Sequence, residues 1–124
     1  MSNPYQGVMF RVKATVLDGG AGGCRVGHRS GQTWLMQGVP PGICSFAFNA
    51  MFPAYWTLRF GGSDPAEENP DQMHVTCSGM GCGARFLIER ISDEEADRLQ
   101  AEAELISLDD LARSIPVGLS RRIR

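Results

Sequence analysis

Residues 8 to 17, VMFRVKATVL, alternate between apolar and polar side chains. The apolar positions, which share one face of an extended chain, are Val8, Phe10, Val12, Ala14 and Val16. A repeat of two residues is typical of a β-strand with one buried face. The glycine-rich segment 19 to 31 then predicts a series of turns. A chain with such a strand must place a second layer against the apolar face of a sheet.

Three further segments have the composition of strands, and they are residues 33 to 37, 73 to 78 and 84 to 91. The turn GMGCG joins the last two and predicts a hairpin. The aromatic segment 44 to 60 predicts a short helix from about Ser45 to Met51. A second turn of helix is expected to begin near Pro53, because proline is tolerated at the first position of a helix.

A change of composition at Ser92 marks a helical extension. Ser92 and Glu95 form a capping box before an apolar stripe, whose members are Ala96, Leu99, Ala103 and Ile106. This narrow stripe suits a helix packed on the sheet. It equally suits a seam between two copies of the chain, because coiled-coil partners use the same spacing. We therefore expect a homo-oligomer that forms through the C-terminal helix.

These elements predict an α+β fold, in which a small antiparallel sheet of about four strands carries an aromatic helical segment and a C-terminal helical extension. Residues 1–91 form the cysteine-containing domain of this prediction, and residues 92–124 form the extension.

The charge and composition of the 124-residue chain exclude several classes of partner. A net charge of −2 and a pI near 5.6 argue against a nucleic-acid or anionic-membrane surface. No apolar run is long enough to span a bilayer, and residues 1 to 20 lack a secretion signal. We expect a cytoplasmic protein, in which four cysteines are metal ligands, reactive thiols or buried apolar groups.

The four cysteines are Cys24, Cys44, Cys77 and Cys82, and three of them lie at turns or at the ends of predicted elements. His28 follows Cys24 by four residues. Five such donors suit a tetrahedral zinc site or an iron–sulfur cluster. The alternative is that the cysteines are buried as small apolar side chains, and Cys77 fits it best because strand alternation places it with Met73 and Val75.

Cys44 stands directly before a predicted helix. There its thiol would meet unpaired backbone N–H groups and the positive end of the helix dipole. Both lower the pKa of a thiol, which favours metal ligation and nucleophilic attack alike.

Four stretches together resemble a family of short, uncharacterised bacterial and archaeal proteins defined mainly by three cysteines. They cover roughly residues 8 to 91 and read GGCRVGHRSGQTW, PPGICSFAFNAMFPAYWTLRFGG, HVTC and ARFLIERI. The resemblance implies a shared site at Cys24, Cys44 and Cys77. This chain departs from the family pattern after Cys77, where Ser78 and Gly79 replace the usual Pro-Asp pair, and Cys82 and the long extension are additional.

Our first hypothesis is a thiolate metal site, with zinc or an iron–sulfur cluster held by Cys24, Cys44 and Cys77. The fourth position would be His28, Cys82 or open. A closed zinc shell would be structural, whereas an open position would suit a metal-dependent lyase or hydrolase.

Two other hypotheses stay open. In a metal-free thiol enzyme or redox protein, Cys44 would be the nucleophile, His28 the base, and Cys82 or Cys24 the resolving thiol. In the third, the chain is a non-catalytic partner subunit. Arg59 and Arg85 are candidates to bind an anionic small-molecule substrate near the thiols.

Overall fold

The computed structural model describes residues 9–20, 27–77, 79 and 82–105. Within these residues the fold is α+β, as the sequence predicts. The elements in chain order are β1 (Arg11–Asp18), β2 (Thr33–Leu35), α1 (Ser45–Arg59), β3 (Gln72–Thr76) and β4 (Arg85–Ile91), followed by α2, which is helical at residues 93–105.

The four strands form one antiparallel sheet in the order β2-β1-β4-β3. At its centre β1 pairs with β4, so that Ala14 lies opposite Ile88 and Val16 lies opposite Phe86. All four of these side chains are buried. The predicted alternation is therefore confirmed for Val12, Ala14 and Val16, whereas Phe10 lies before the strand and is exposed.

Helix α1 packs on this buried face and contacts β1, β3 and β4. Its inward side chains complete the core, and the buried ones are Ala47, Met51, Ala54, Tyr55 and Leu58. The sheet and the helix bury the core between two layers, which is the arrangement that the half-buried strands require.

The predicted break of α1 near Pro53 is wrong, because one helix runs from Ser45 to Arg59. Proline removes the hydrogen bond to the carbonyl four residues earlier, which belongs to Asn49. Both residues are exposed, so water can satisfy that carbonyl. The core contacts on the opposite side of α1 continue past the proline and hold the helix together.

Aromatic rings four residues apart form a row along α1, in which Phe48 packs against the core and Phe52 and Trp56 are exposed. Phe48 packs on Phe52, Phe52 stacks on Trp56 with ring centroids 5.2 Å apart, and Trp56 meets Phe60 edge-on at 4.9 Å. Rings at this spacing support a helix from outside the core. These ring contacts are a second, local reason why α1 continues past Pro53.

Helix α2 begins as the sequence predicts, because the Glu95 amide donates a hydrogen bond to Oγ of Ser92 at 3.2 Å. The Glu95 carboxylate contacts Nζ of Lys13 on β1 at 2.7 Å. Ala96 is fully buried, whereas Ala103 is exposed. The start of the apolar stripe, at Ala96, therefore packs against the sheet. Ile106 and the remaining residues of the predicted extension lie outside the described residues.

Arg90 lies near the end of β4, at the end of the sheet that is far from the start of α1. Its hydrogen bonds connect the segments that meet there. Its guanidinium donates to the carbonyl oxygens of Leu58, Gly62 and Pro70 at 2.6 to 3.0 Å, and to the carboxylate of Asp71 at 2.9 Å. These bonds hold the end of α1 and the loop before β3 against β4. Neither helix in the described part of the chain is long and apolar enough to cross a bilayer.

Candidate thiol site

The ends of several elements meet at one end of the sheet. Cys44 is the N-cap residue of α1, Cys77 directly follows β3, and Cys82 lies shortly before β4. All three are free thiols; Cys77 belongs to the buried core cluster, and the other two pack against it. The topology thus gathers cysteines that are far apart in the sequence.

His28 is joined to Cys44 by a hydrogen bond. The backbone N–H of Cys44 donates to Nε2 of His28 at 3.0 Å. The ring is 6 % exposed and meets Trp34 and Phe86 edge-on, with centroids 5.0 and 6.3 Å apart. Burial lowers the pKa of His28, so the neutral ring, which can accept this bond, is favoured. His28 therefore fixes the backbone of Cys44 and uses its Nε2 lone pair to do so.

The other two cysteines both affect the pKa of Cys77. Burial raises its pKa, and the charges of Cys82 and Cys44 and a side-chain hydrogen bond with Cys82 act in the same direction. A hydrogen bond from the Gly79 amide acts against this rise, because an N–H donor stabilises a thiolate. Cys82 and Cys44 are thus both near enough to Cys77 to raise its pKa.

Two backbone hydrogen bonds join described residues between Cys77 and Ala84. The Cys77 amide donates to the carbonyl of Ala84 at 2.7 Å, and the Cys82 amide donates to the carbonyl of Gly79 at 2.8 Å. A side chain at position 79 would collide with Phe46, since a Cβ there would lie 2.7 Å from the Cβ of that residue. The antiparallel pairing of β3 with β4 confirms the predicted hairpin, and Gly79 packs on the first turn of α1.

The end of β1 approaches the same loop. A β-bulge between Val16 and Asp18 puts Asp18 opposite Arg85, whose guanidinium contacts the Asp18 carboxylate at 2.6 Å. This contact and the Gly20 amide lower the pKa of Asp18. Gly20 then passes so close to the backbone of Cys82 that no larger residue fits. Gly20 and His28, which flank the segment 21–26, therefore both lie at the thiol end.

The two predicted anion-binding arginines differ in position. Arg85 is at the thiol end but is paired with Asp18. Arg59 is at the last residue of α1, about 20 Å along the helix from Cys44. Its guanidinium contacts the Tyr55 hydroxyl and lies over the Trp56 ring. The structure does not bring Arg59 to the thiols, because a helix places its two ends on opposite sides of the molecule.

Cys24, the first cysteine of the predicted metal site, lies outside the described residues. Among the residues that are described, no three His, Cys, Asp or Glu side chains form a group that can hold a metal ion. Comparisons with models of protein families, with curated proteins and with solved structures each find no match.

Two contacts of this site were not anticipated from the sequence. One is the bond between the His28 ring and the Cys44 amide, and the other is the donation from the Gly79 amide to the thiol of Cys77. The C-x3-H spacing marked His28 as a ligand or a base, but a backbone partner leaves no mark in the sequence. A glycine two residues after a cysteine is the only local sign of the second contact.

Proposed function

We propose that the thiol end of the sheet is a thiolate site for a thiophilic metal, with zinc as the first candidate and an iron–sulfur cluster as the second. The observation that carries the proposal is that Cys77 belongs to the core cluster and that Cys44 and Cys82 both pack against it and affect the pKa of Cys77. Thiolates are the ligands that both kinds of centre prefer.

We assign Cys24, Cys44 and Cys77 as the three ligands that the family resemblance implies. Cys24 lies outside the described residues, and we give it the place beside Cys44 and Cys77 that the resemblance implies. Gly20 and His28, on either side of its segment, are both anchored here, which supports that assignment. The fourth position is left to Cys82 or to an open site, and the Cys82→Ser variant below decides between the two.

His28 is a positioning residue in this proposal. Its Nε2 lone pair accepts the Cys44 amide, so it orients the backbone that carries a ligand. The Gly79 amide supports the charged form of Cys77, as N–H donors do around metal-bound sulfur. Both contacts favour a site that keeps its shape when the thiols lose their protons.

The number of protein ligands decides the chemistry. A closed shell of four thiolates would make zinc structural and the protein a binding module. If Cys82 is not a ligand, the open position supplies a Lewis acid, as a lyase or hydrolase needs. We place the protein in the cytoplasm, where thiols stay reduced.

Metal analysis of anaerobically purified protein tests the proposal. We expect about one zinc per chain, or iron with sulfide, and loss of that metal in Cys24→Ser, Cys44→Ser and Cys77→Ser. His74→Asn is the matched control, because it removes an exposed imidazole that contacts Glu67 and should leave the metal in place. Full metal content in Cys24→Ser or Cys44→Ser would overturn the assignment. Cys82→Ser distinguishes the closed shell, which loses metal, from the open one, which keeps it.

A further inference from the structure

Helix α1 has an exposed face that is uncharged along almost its whole length. The exposed side chains, which together are called the aromatic face, are Ser45, Phe46, Asn49, Phe52, Pro53 and Trp56. Three of them are aromatic, and they are 40 to 54 % exposed. From residue 30 to residue 63 the sequence has one charged residue, Arg59. The solvent side of a helix is normally charged, so the aromatic face has the composition of an interface.

Two polar groups at the middle of the aromatic face lack partners within the part of the chain that the structure describes. They are the indole N–H of Trp56 and the side-chain amide of Asn49. These residues are seven positions apart, which is two turns of an α-helix, so they lie on the same side of α1. A hydrogen-bond donor and an acceptor thus stand in one line along the face, about 10 Å apart.

We propose that the aromatic face is the interface of a homodimer, in which α1 of one copy packs antiparallel on α1 of a second copy. The two-fold axis passes between Phe52 and Pro53, midway between Asn49 and Trp56. Each Trp56 then donates its indole N–H to the side-chain oxygen of Asn49 in the other copy, and the two Phe52 rings meet beside the axis. Identical chains associate most often through such a two-fold contact. The dimer goes beyond metal binding and does not depend on it.

The position of Arg59 favours this arrangement of two copies. Arg59 follows Phe52 by seven residues and lies on the same side of α1. Antiparallel packing keeps the two guanidinium groups about 20 Å apart, each level with Ser45 of the other copy. Parallel packing would bring the two cations together, which costs free energy. Arg59 does not require an acidic partner chain, since its guanidinium already lies over the Tyr55 and Trp56 rings.

The exposed area determines how strong such a dimer can be. A phenylalanine or tryptophan side chain buries about 150 to 250 Å² when it is fully covered. Because about half of each of the three rings is exposed, the rings contribute about 300 Å² per copy. Stable complexes bury about 800 Å² per partner. We therefore expect a weak dimer, with a Kd on the order of 10 to 100 µM.

Sedimentation velocity of the full-length protein in a reducing buffer tests the proposal, over about a hundredfold range of concentration around that Kd. Phe52→Lys and Phe52→Glu each place two like charges beside the axis, so each should raise the Kd at least about tenfold. An equimolar mixture of the two variants should associate, because the introduced lysine then meets the introduced glutamate. This rescue distinguishes contact across the axis from misfolding of either variant.

Leu105→Lys is the matched control, because Leu105 is an apolar side chain of α2 that is 67 % exposed. This variant should dimerise as the wild type does. The proposal is overturned if the dimer is lost in Leu105→Lys but kept in Phe52→Lys, or if the mixture of the two Phe52 variants does not associate. A wild type that stays monomeric and sediments with phosphatidylcholine vesicles would assign the aromatic face to a lipid surface, and one that stays monomeric without them would also overturn the dimer.

Discussion

At Gly20 the backbone has a φ of +77°, and a side chain there would overlap the backbone of Cys82 and Gly83. Gly27 has a similar φ of +82°, but nothing lies within 4 Å of the position of its Cβ. The two glycines flank the segment that contains Cys24. Substitutions at these two glycines therefore distinguish the cost of a positive φ from the cost of a steric overlap with nearby backbone.

We predict that Gly20→Ala destabilises the protein by several kcal/mol, because backbone atoms cannot yield as side chains do. Gly27→Ala should cost only about 1 kcal/mol, which is the strain of a left-handed alanine. Denaturant unfolding of both variants measures the difference. If both variants lose the same free energy of unfolding, the approach of Gly20 to Cys82 does not constrain the fold.

His28 makes the stability of the protein depend on pH. Burial lowers its pKa in the folded state, so below about pH 6.5 the unfolded chain binds a proton that the folded protein resists. The free energy of unfolding should thus be unaffected by this group above that pH and should fall as the pH drops below it. We predict a loss of about 1 kcal/mol between pH 7.5 and 5.5.

The control for this prediction is the second histidine of the chain. His28→Gln should remove most of the fall between pH 7.5 and 5.5, whereas His74→Gln, at an exposed side chain, should retain it. Denaturant unfolding at the two pH values measures both variants. A fall that persists unchanged in His28→Gln would show that another group causes it.

At the scale of the elements, the sequence predicts the kind of each element better than its limits. Alternation identified β1, and the capping residue Ser92 identified the start of α2. The continuity of α1 through Pro53 was missed, because it depends on core packing against three strands rather than on local preference. Residue spacing reveals a face of an element, but it does not reveal the strength of the tertiary contacts on that face.

The same limit applies to the candidate site. The sequence could single out the cysteines and His28, because their chemistry is unusual and they lie at turns. It could not show that Cys82 packs against the core cluster that contains Cys77, since this depends on how the chain turns between β3 and β4. Nor could it place Arg59 at the far end of α1, because the predicted break at Pro53 left the direction of the following residues open.

Lys13 connects α2 to the sheet through Glu95 and lies 3.6 Å from the carboxylate of Glu89. The hydrogen bond to Glu95 raises the pKa of Lys13, so the charged form is stabilised on folding and this contribution disappears only in strongly alkaline solution. We predict that Lys13→Gln lowers the free energy of unfolding by about 1 kcal/mol and weakens the hydrogen-exchange protection of residues 93–105.

Arg98→Gln is the matched control for Lys13→Gln. Arg98 contacts Glu95 and Glu102 within α2 itself, and its side chain is 59 % exposed. Such pairs contribute only about 0 to 0.5 kcal/mol. If the two variants lower the exchange protection of α2 equally, the contact with Lys13 is not what holds the helix on the sheet.

At the scale of the whole molecule, Arg90 joins the end of α1, the following loop and the central strand β4. We predict that Arg90→Lys lowers the free energy of unfolding by about 2 to 4 kcal/mol, because one ammonium group cannot replace donors to four separate acceptors. Arg85→Lys, at an exposed ion pair on the same strand, should cost less than about 1 kcal/mol. Equal losses in denaturant unfolding would contradict this role of Arg90.

The order of the strands also determines when the molecule can assemble. The centre of the sheet joins β1 to β4, the first and the last strands along the chain, with Arg11 opposite Ile91. Contacts between such distant residues slow folding, because a long loop must close before they form. During synthesis, β1 must therefore wait for β4 to leave the ribosome. Until then the fold does not bring the cysteines together, so the surroundings of the nascent chain determine how its thiols react.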